Sequence, residues 1–126
     1  MKTLVLGASP NPNRYAYSAV VSLLAHGHEA VPLGIKKGSI NGLEIKNGFP
    51  ELMGIDTVTL YLNPKNQQNW YGYIMGLHPR RIIFNPGTEN DELRQLAEKN
   101  GIQTINACTL VMLSTGTFEN KTTEKL

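Results

Sequence analysis

The chain has 126 residues, 40% of them hydrophobic and 17% charged, with a formal net charge of +2; this is enough apolar chain for one domain with a core, and it excludes an intrinsically disordered protein. A single cysteine excludes an internal disulfide and a zinc site built from several cysteines. There is no dense Lys/Arg stripe interleaved with aromatics and no apolar run near the roughly eighteen residues of a membrane span, so the expectation is a cytoplasmic protein with neither nucleic acid nor membrane as partner.

Residues 2–6 read as a short apolar strand that Gly7 breaks. A small, polar loop with two prolines, Gly7-Ala8-Ser9-Pro10-Asn11-Pro12-Asn13-Arg14, leads into a helix over residues 15–26. Ala16, Ala19, Val20, Leu23 and Leu24 give that helix one apolar face, and Gly27 caps it. Residues 28–33 form the second strand. A loop over residues 34–38 carries Lys36 and Lys37, residues 39–45 are a short extended stretch, and Asn47-Gly48 is a turn. Residues 56–62, Asp-Thr-Val-Thr-Leu-Tyr-Leu, make the clearest interior strand, ended by Asn63-Pro64. A helix over residues 65–77 places Trp70, Tyr73, Ile74 and Leu77 on one stripe, and His78-Pro79 closes it. Residues 80–84 are the fourth strand and Asn85-Pro86-Gly87 its turn. Thr88 and Asp91 are spaced as a capping box for a helix to residue 100 that buries Leu93, Leu96 and Ala97. Residues 102–107 are the fifth strand and residues 108–113 a last short helix. The domain is expected to end at residue 113, with a frayed polar tail over residues 114–126.

Strands alternating with helices imply an α/β protein: a Rossmann-like, doubly wound, parallel five-stranded sheet in three layers, with the expected strand order 3-2-1-4-5. Ligands of such sheets bind outside the carboxyl ends of the strands. Three loops at that edge carry Asn-Pro, namely Asn11-Pro12, Asn63-Pro64 and Asn85-Pro86. His26, His28 and His78 fall at the opposite edge, which argues against a catalytic histidine. Cys108 lies at the right edge but has no nearby base, so an inert thiol is expected. Asp56 begins a strand at the wrong end, Glu89 and Asp91 serve a helix start, and no cluster has metal-ligand spacing.

A strand, a glycine turn and a helix N-terminus make a phosphate site, with Ser9 as a hydroxyl donor. The loop lacks the G-x-G-x-x-G fingerprint, and the second strand ends in Gly34-Ile35-Lys36-Lys37 where NAD enzymes keep an acid. The two lysines fit an extra ribose phosphate, which leaves NADP and coenzyme A both open at this point. Trp70, Tyr71 and Tyr73 are read as core and surface residues, with an oligomer interface as the alternative.

Val5-Leu6-Gly7-Ala8-Ser9, then Asn11-Pro12 and Arg14, together with Pro32, Ile40-Asn41-Gly42 and Asn85-Pro86-Gly87-Thr88-Glu89-Asn90, resemble the small stand-alone CoA-binding domain proteins. These are similar to the CoA-binding domain of the succinyl-CoA synthetase α subunit. The resemblance spans residues 2–113. It implies a CoA site in which Gly7, Ala8, Ser9, Asn11 and Arg14 surround the phosphates and Lys36 or Lys37 lies near the 3′-phosphate. Leu62, Asn63 and Pro64 would border the adenine or pantetheine path, with Asn85, Pro86 and Gly87 further along. Two loops depart from the family: Leu33-Gly34-Ile35 stands where Val-Asn-Pro is usual, and Phe84-Asn85-Pro86 where Trp and Gln are usual. No residue stands in for the synthetases' phosphorylated histidine. The expectation is therefore a non-catalytic protein that binds CoA or acyl-CoA, with a homo-oligomer or an unidentified protein partner left open. The alternatives are an NADP-binding redox enzyme or sensor, and a regulatory homo-oligomer with a vestigial nucleotide pocket.

Overall fold

Pro32 decides where the second strand sits. A proline has no N–H to give to a ladder, so it is tolerated in a strand only where one side faces away from the sheet. The computed structural model, which describes residues 1–119, obeys this rule. Strand β1 (Lys2–Leu6) is followed by helix α1 (Tyr15–Ala25) and strand β2 (Glu29–Leu33). A small hairpin follows, β3 (Ser39–Ile40) and β4 (Leu43–Glu44), and then β5 (Thr57–Leu60). Helix α2 (Pro64–Gln67), a 3-10 turn (Gln68–Trp70) and α3 (Tyr71–Leu77) lead to β6 (Arg81–Phe84), α4 (Asp91–Lys99), β7 (Gln103–Asn106) and α5 (Thr109–Ser114). The main sheet is parallel, in the order β2-β1-β5-β6-β7. Counting only its five strands, that is 2-1-3-4-5, and the expected order 3-2-1-4-5 is corrected. The expected order would have enclosed Pro32 between two strands. Here β2 is an edge strand, and Lys46 covers its outer side, its N–H donating to the Pro32 carbonyl at 2.9 Å.

Side chains alternate across the strands, so each face of the sheet has its own core. Leu4, Leu6, Val58, Leu60, Ile82 and Phe84 pack with Ile74 of α3 and with Leu93 and Ala97 of α4. Val5, Ala30 and Ile83 pack on the other face with Ala16, Val20 and Leu23 of α1 and with Met112 and Leu113 of α5. The result is a three-layer α/β/α protein. Each fully buried Leu or Ile contributes roughly 1.5–3 kcal/mol of transfer free energy.

Four local expectations change. The extended stretch over residues 39–45 is a hairpin around Asn41 and Gly42, whose positive φ values of 48° and 83° suit a two-residue turn. The helix expected over residues 65–77 is broken into α2, the 3-10 turn and α3. Gln67 is buried, and its amide donates to the Leu62 and Thr88 carbonyls, both at 2.8 Å. Asn66, Asn69, Gly72 and Gly76 add little helix preference to oppose that anchoring. Helix α4 is capped by Asn90, whose Oδ1 accepts from Leu93 N at 3.2 Å, and not by Thr88. The Thr88 hydroxyl is occupied in the preceding turn, donating to the Asn85 carbonyl at 2.8 Å.

The fourth change concerns the polar stretch from Ser114, which is anchored as far as Phe118; residues 120–126 lie outside those described. Phe118 is buried against His28, with ring centroids 4.9 Å apart, and under the Arg81 guanidinium at 4.5 Å. Arg81 is itself buried, and that burial pushes its pKa down to about 10, so it remains a cation at neutral pH. It donates through Nε to Thr57 Oγ1 at 3.0 Å and through Nη2 to the Phe118 carbonyl at 2.8 Å.

The titratable groups at this amino end predict acid sensitivity. Burial lowers the pKa of His28, helped by the Met1 ammonium 3.1 Å from its Nδ1 and opposed by Glu119. The folded protein thus resists a proton that the unfolded chain accepts near 6.5. Stability must fall as the pH drops through that value. Asp56 adds a second loss at lower pH. Burial raises its pKa, but hydrogen bonds from Arg80 and Thr57 outweigh this and hold it below the ordinary value. A melting temperature that declines from about pH 7 to about pH 5, and a flatter profile for His28→Gln, are the expected results. A level wild-type profile would contradict them.

Candidate functional site at the carboxyl edge

The chain leaves β1 toward the face that carries α1 and leaves β5 toward the face that carries α3. Neighbouring loops therefore diverge, and a crevice opens between them at the carboxyl edge. Its volume is about 660 Å³.

Above β1, Gly7 takes φ +104°, and its N–H and that of Ala8 donate to the Leu33 carbonyl at 2.9 and 3.1 Å. A Cβ on Gly7 would lie 3.0 Å from the Tyr61 carbonyl carbon, so only glycine lets the loop pass so close to β5. Ser9 Oγ accepts from Asn11 N at 3.1 Å, and Asn11 Oδ1 accepts from Asn13 N at 2.9 Å. These bonds fold the loop and leave the Ser9 proton available to a ligand. Arg14 is the N-cap position of α1, and no side chain caps this helix or places an acid in its first turn. The first amides of α1, with the positive end of its dipole, are thus open beside Tyr15 and Ala16, which line the cleft. Gly34, Ile35 and Lys36 extend the wall over β2.

The other half of the wall is neutral. It consists of Tyr61 and Leu62 from the end of β5, Asn63, Asn66 and Trp70 from the α2 region, and Pro86, Gly87 and Thr88 after β6. Asn63 Oδ1 caps α2, accepting from Asn66 N at 2.9 Å. Gln67 and Asn90 tie the two loops together, Asn90 Nδ2 donating to Gln67 Oε1 at 2.9 Å. Glu89 accepts from Gly87 N at 2.9 Å and so braces its own turn. Burial pushes the Tyr61 phenol up to about 12, with a further push from Cys108, so Tyr61 is a neutral wall residue at physiological pH.

The structure brings Gly7, Ala8, Ser9, Arg14, Lys36, Leu62, Asn63, Pro86 and Gly87 into one wall. Four other expected residues stand apart from it. Asn11 is turned into its own loop, Lys37 is exposed on the turn beyond Lys36, and Pro64 is the first residue of α2. Asn85 is buried beneath the cleft, its side chain bonded to β5 and α5. Cys108 is half-buried at the same edge and is not part of the wall. Tyr61, Asn66 and Trp70 had not been expected to line it. Trp70 ends the 3-10 turn that follows α2, early in the crossover from β5 to β6, and that early place is the signal for a position near this edge; its i, i+3, i+4 pattern had assigned it to the core.

Comparison with known proteins bears on the family and the fold. The family model of the CoA binding domain matches residues 1–114. No curated protein matches the chain in sequence. Among solved structures, a crystal structure of an uncharacterized protein is 57% identical, with a TM-score of 0.91 over 93% of this chain and 97% of that one. A hypothetical protein from Pyrococcus horikoshii OT3 is 24% identical, with a TM-score of 0.81 over 90% of this chain and 81% of that one. The same fold recurs in the dinucleotide-forming acetyl-coenzyme A synthetase 1 of Ca. Korarchaeum cryptofilum, solved with phosphate and ADP. That match has 15% identity and a TM-score of 0.68 over 84% of this chain and 25% of that one. With a Rossmann-like sheet and a family match over residues 1–114, this chain belongs to the CoA-binding domain family.

Proposed function

We propose that the protein binds CoA or acyl-CoA in the cleft without catalysing a reaction on it. The observation that carries this reading is the division of one continuous wall into two halves. Over β1 and β2 lie the Gly7 turn, the Ser9 hydroxyl, the uncapped start of α1, and the Arg14 and Lys36 cations. Over β5 and β6 lie amides, hydroxyls and apolar side chains. CoA has the same division: a phosphorylated ADP at one end and a neutral chain with two amides at the other. In this pose the diphosphate sits on the loop over residues 7–14, Lys36 faces the 3′-phosphate, and the pantetheine crosses toward Asn63 and Pro86. The cleft wall offers hydrogen-bond donors and apolar contact, with neither histidine nor carboxylate among its described residues. That composition suits holding a thioester, not proton transfer to or from it.

Calorimetry with CoA, dephospho-CoA and NADP tests the reading. CoA is expected to bind more tightly than both. No binding of CoA at millimolar concentration would end it, and preference for NADP would shift it to the redox alternative. Arg14→Ala and Lys36→Ala are each expected to weaken CoA about five- to thirtyfold, the loss of one charge-assisted phosphate contact at an exposed position. The Lys36 effect should vanish with dephospho-CoA, whereas the Arg14 effect should persist. Lys37→Ala, outside the wall, should leave affinity as it is.

A further inference from the structure

We propose that Asn47 is a specificity-determining positioning residue: it fixes the Lys36 loop beside the loop over residues 7–14, so that the site favours a ligand with a ribose phosphate in addition to its diphosphate. This rests on the CoA reading above and deepens it. Lys36 stands midway between the end of β2 at Leu33 and the start of β3 at Ser39, in a stretch where residues 35–39 are all exposed. A lysine on a loose loop is a poor reader of phosphate position. Ordering the loop at the moment of binding would take back much of what the contact gives, whereas a loop ordered beforehand keeps it.

The structure orders this loop from two sides. On the inner side it abuts the loop over residues 7–14 twice. A Cβ at Gly34 would lie 2.2 Å from the Ala8 carbonyl oxygen, and one at Gly38 would lie 2.7 Å from Pro10 Cβ and 3.0 Å from Pro10 Cγ, atoms of a closed ring with little freedom to yield. Lys36 falls between these two contacts. On the outer side runs the segment that follows the β3–β4 hairpin. Gly34 N donates to Lys46 O at 2.9 Å and Ile45 N donates to Gly38 O at 2.8 Å, so both ends of the loop are tied to that segment. Asn47 ties down its middle. Its Nδ2 donates to the Gly34 carbonyl at 2.7 Å and to the Lys36 carbonyl at 3.2 Å. An amide nitrogen has two N–H bonds, and here both serve the backbone of one loop. Asn47 is itself exposed, so its role lies in these bonds and not in the core. Two cationic loops held at one spacing favour a ligand whose two phosphate groups match that spacing, and CoA, unlike dephospho-CoA, carries both.

Calorimetry of the wild type and of Asn47→Ala with CoA and with dephospho-CoA tests the role. Asn47→Ala is expected to weaken CoA about three- to tenfold and dephospho-CoA by less than about twofold, with a urea midpoint close to wild type. Lys36→Ala supplies the second readout. In that background Asn47→Ala should change CoA affinity by less than about twofold, because the cation it positions is gone. A general loosening of the cleft would weaken both ligands alike and would add to the Lys36→Ala loss. Either of those results overturns the proposal. Equal affinity of the wild type for CoA and dephospho-CoA overturns it too, while the CoA reading stands. If calorimetry detects no binding of CoA, the CoA reading falls and the role of Asn47 falls with it.

Discussion

Gly34→Ala is expected to destabilise the protein by about 2–4 kcal/mol and to abolish CoA binding by the molecules that still fold. A Cβ at Gly34 would lie 2.2 Å from the Ala8 carbonyl oxygen, 3.1 Å from its carbon and 3.3 Å from its nitrogen. All three are backbone atoms, so no side-chain rotation relieves the overlap. Ala8 is held in place, because its N–H and that of Gly7 both donate to the Leu33 carbonyl. Gly34 is held from the other side, its N–H donating to Lys46 O at 2.9 Å and its carbonyl accepting from Asn47 Nδ2 at 2.7 Å. Any retreat breaks one of these sets of bonds, and a retreat by Ala8 deforms the loop proposed to hold the diphosphate. Urea denaturation and calorimetry with CoA measure the two losses. Gly76→Ala is the control. Its Cβ would meet nothing within 4 Å, it lies inside α3, and it should stabilise the protein by about 0.5–1 kcal/mol. A wild-type denaturation midpoint for Gly34→Ala would mean that the two loops separate freely.

Gly34 also shows where a sequence stops being legible. Its place after an apolar strand marks a loop at the carboxyl edge, but nothing local says that another loop's backbone touches it. Four of the five sheet strands were legible because each is a short apolar or β-rich run stopped by glycine or Asn-Pro; β7 instead follows Gly101 and runs into Ala107-Cys108. The layers followed from their alternation with helices. The strand order was open to correction from one residue, since Pro32 is compatible with an edge strand and poorly compatible with an interior one. The loops that line the cleft were legible for the same reason as the strands, because strand ends are marked. Side-chain direction within those loops was not. Asn63 and Asn85 both precede a proline at a strand end, yet one is exposed on the cleft wall and the other buried under it. Trp70 was misjudged in the opposite sense, since helical spacing cannot distinguish a ring packed in a core from a ring half in the core and half in a cleft.

For Asn85 the expected result is a loss of about 3–5 kcal/mol on substitution by aspartate and about 2–4 kcal/mol on substitution by alanine. Asn85 Nδ2 donates to Thr59 Oγ1 at 2.7 Å and to the Leu60 carbonyl at 2.9 Å, and Oδ1 accepts from Thr109 N at 2.8 Å. The Thr59 and Thr109 hydroxyls are themselves paired at 2.7 Å. One buried amide thus joins the ends of β5 and β6 to the start of α5. Alanine leaves the Thr109 N–H and the Leu60 carbonyl buried without this partner. Aspartate keeps the acceptor for Thr109 but replaces the donor with an oxygen facing the Leu60 carbonyl, so the carboxyl group should hold its proton in the folded state. A carboxyl whose folded pKa is raised loses stability as the pH climbs above the unfolded value of about 3.9, and the loss grows until the folded pKa is passed. The aspartate variant should therefore be nearer to wild type at about pH 5 than at about pH 8, while the deficit of the alanine variant relative to wild type should not change with pH. Denaturation at both pH values, paired with CoA affinity, separates a structural role from a ligand contact. If Asn85 instead reached the ligand, both variants would keep wild-type stability and lose affinity, and the cleft wall would have to be redrawn to include it.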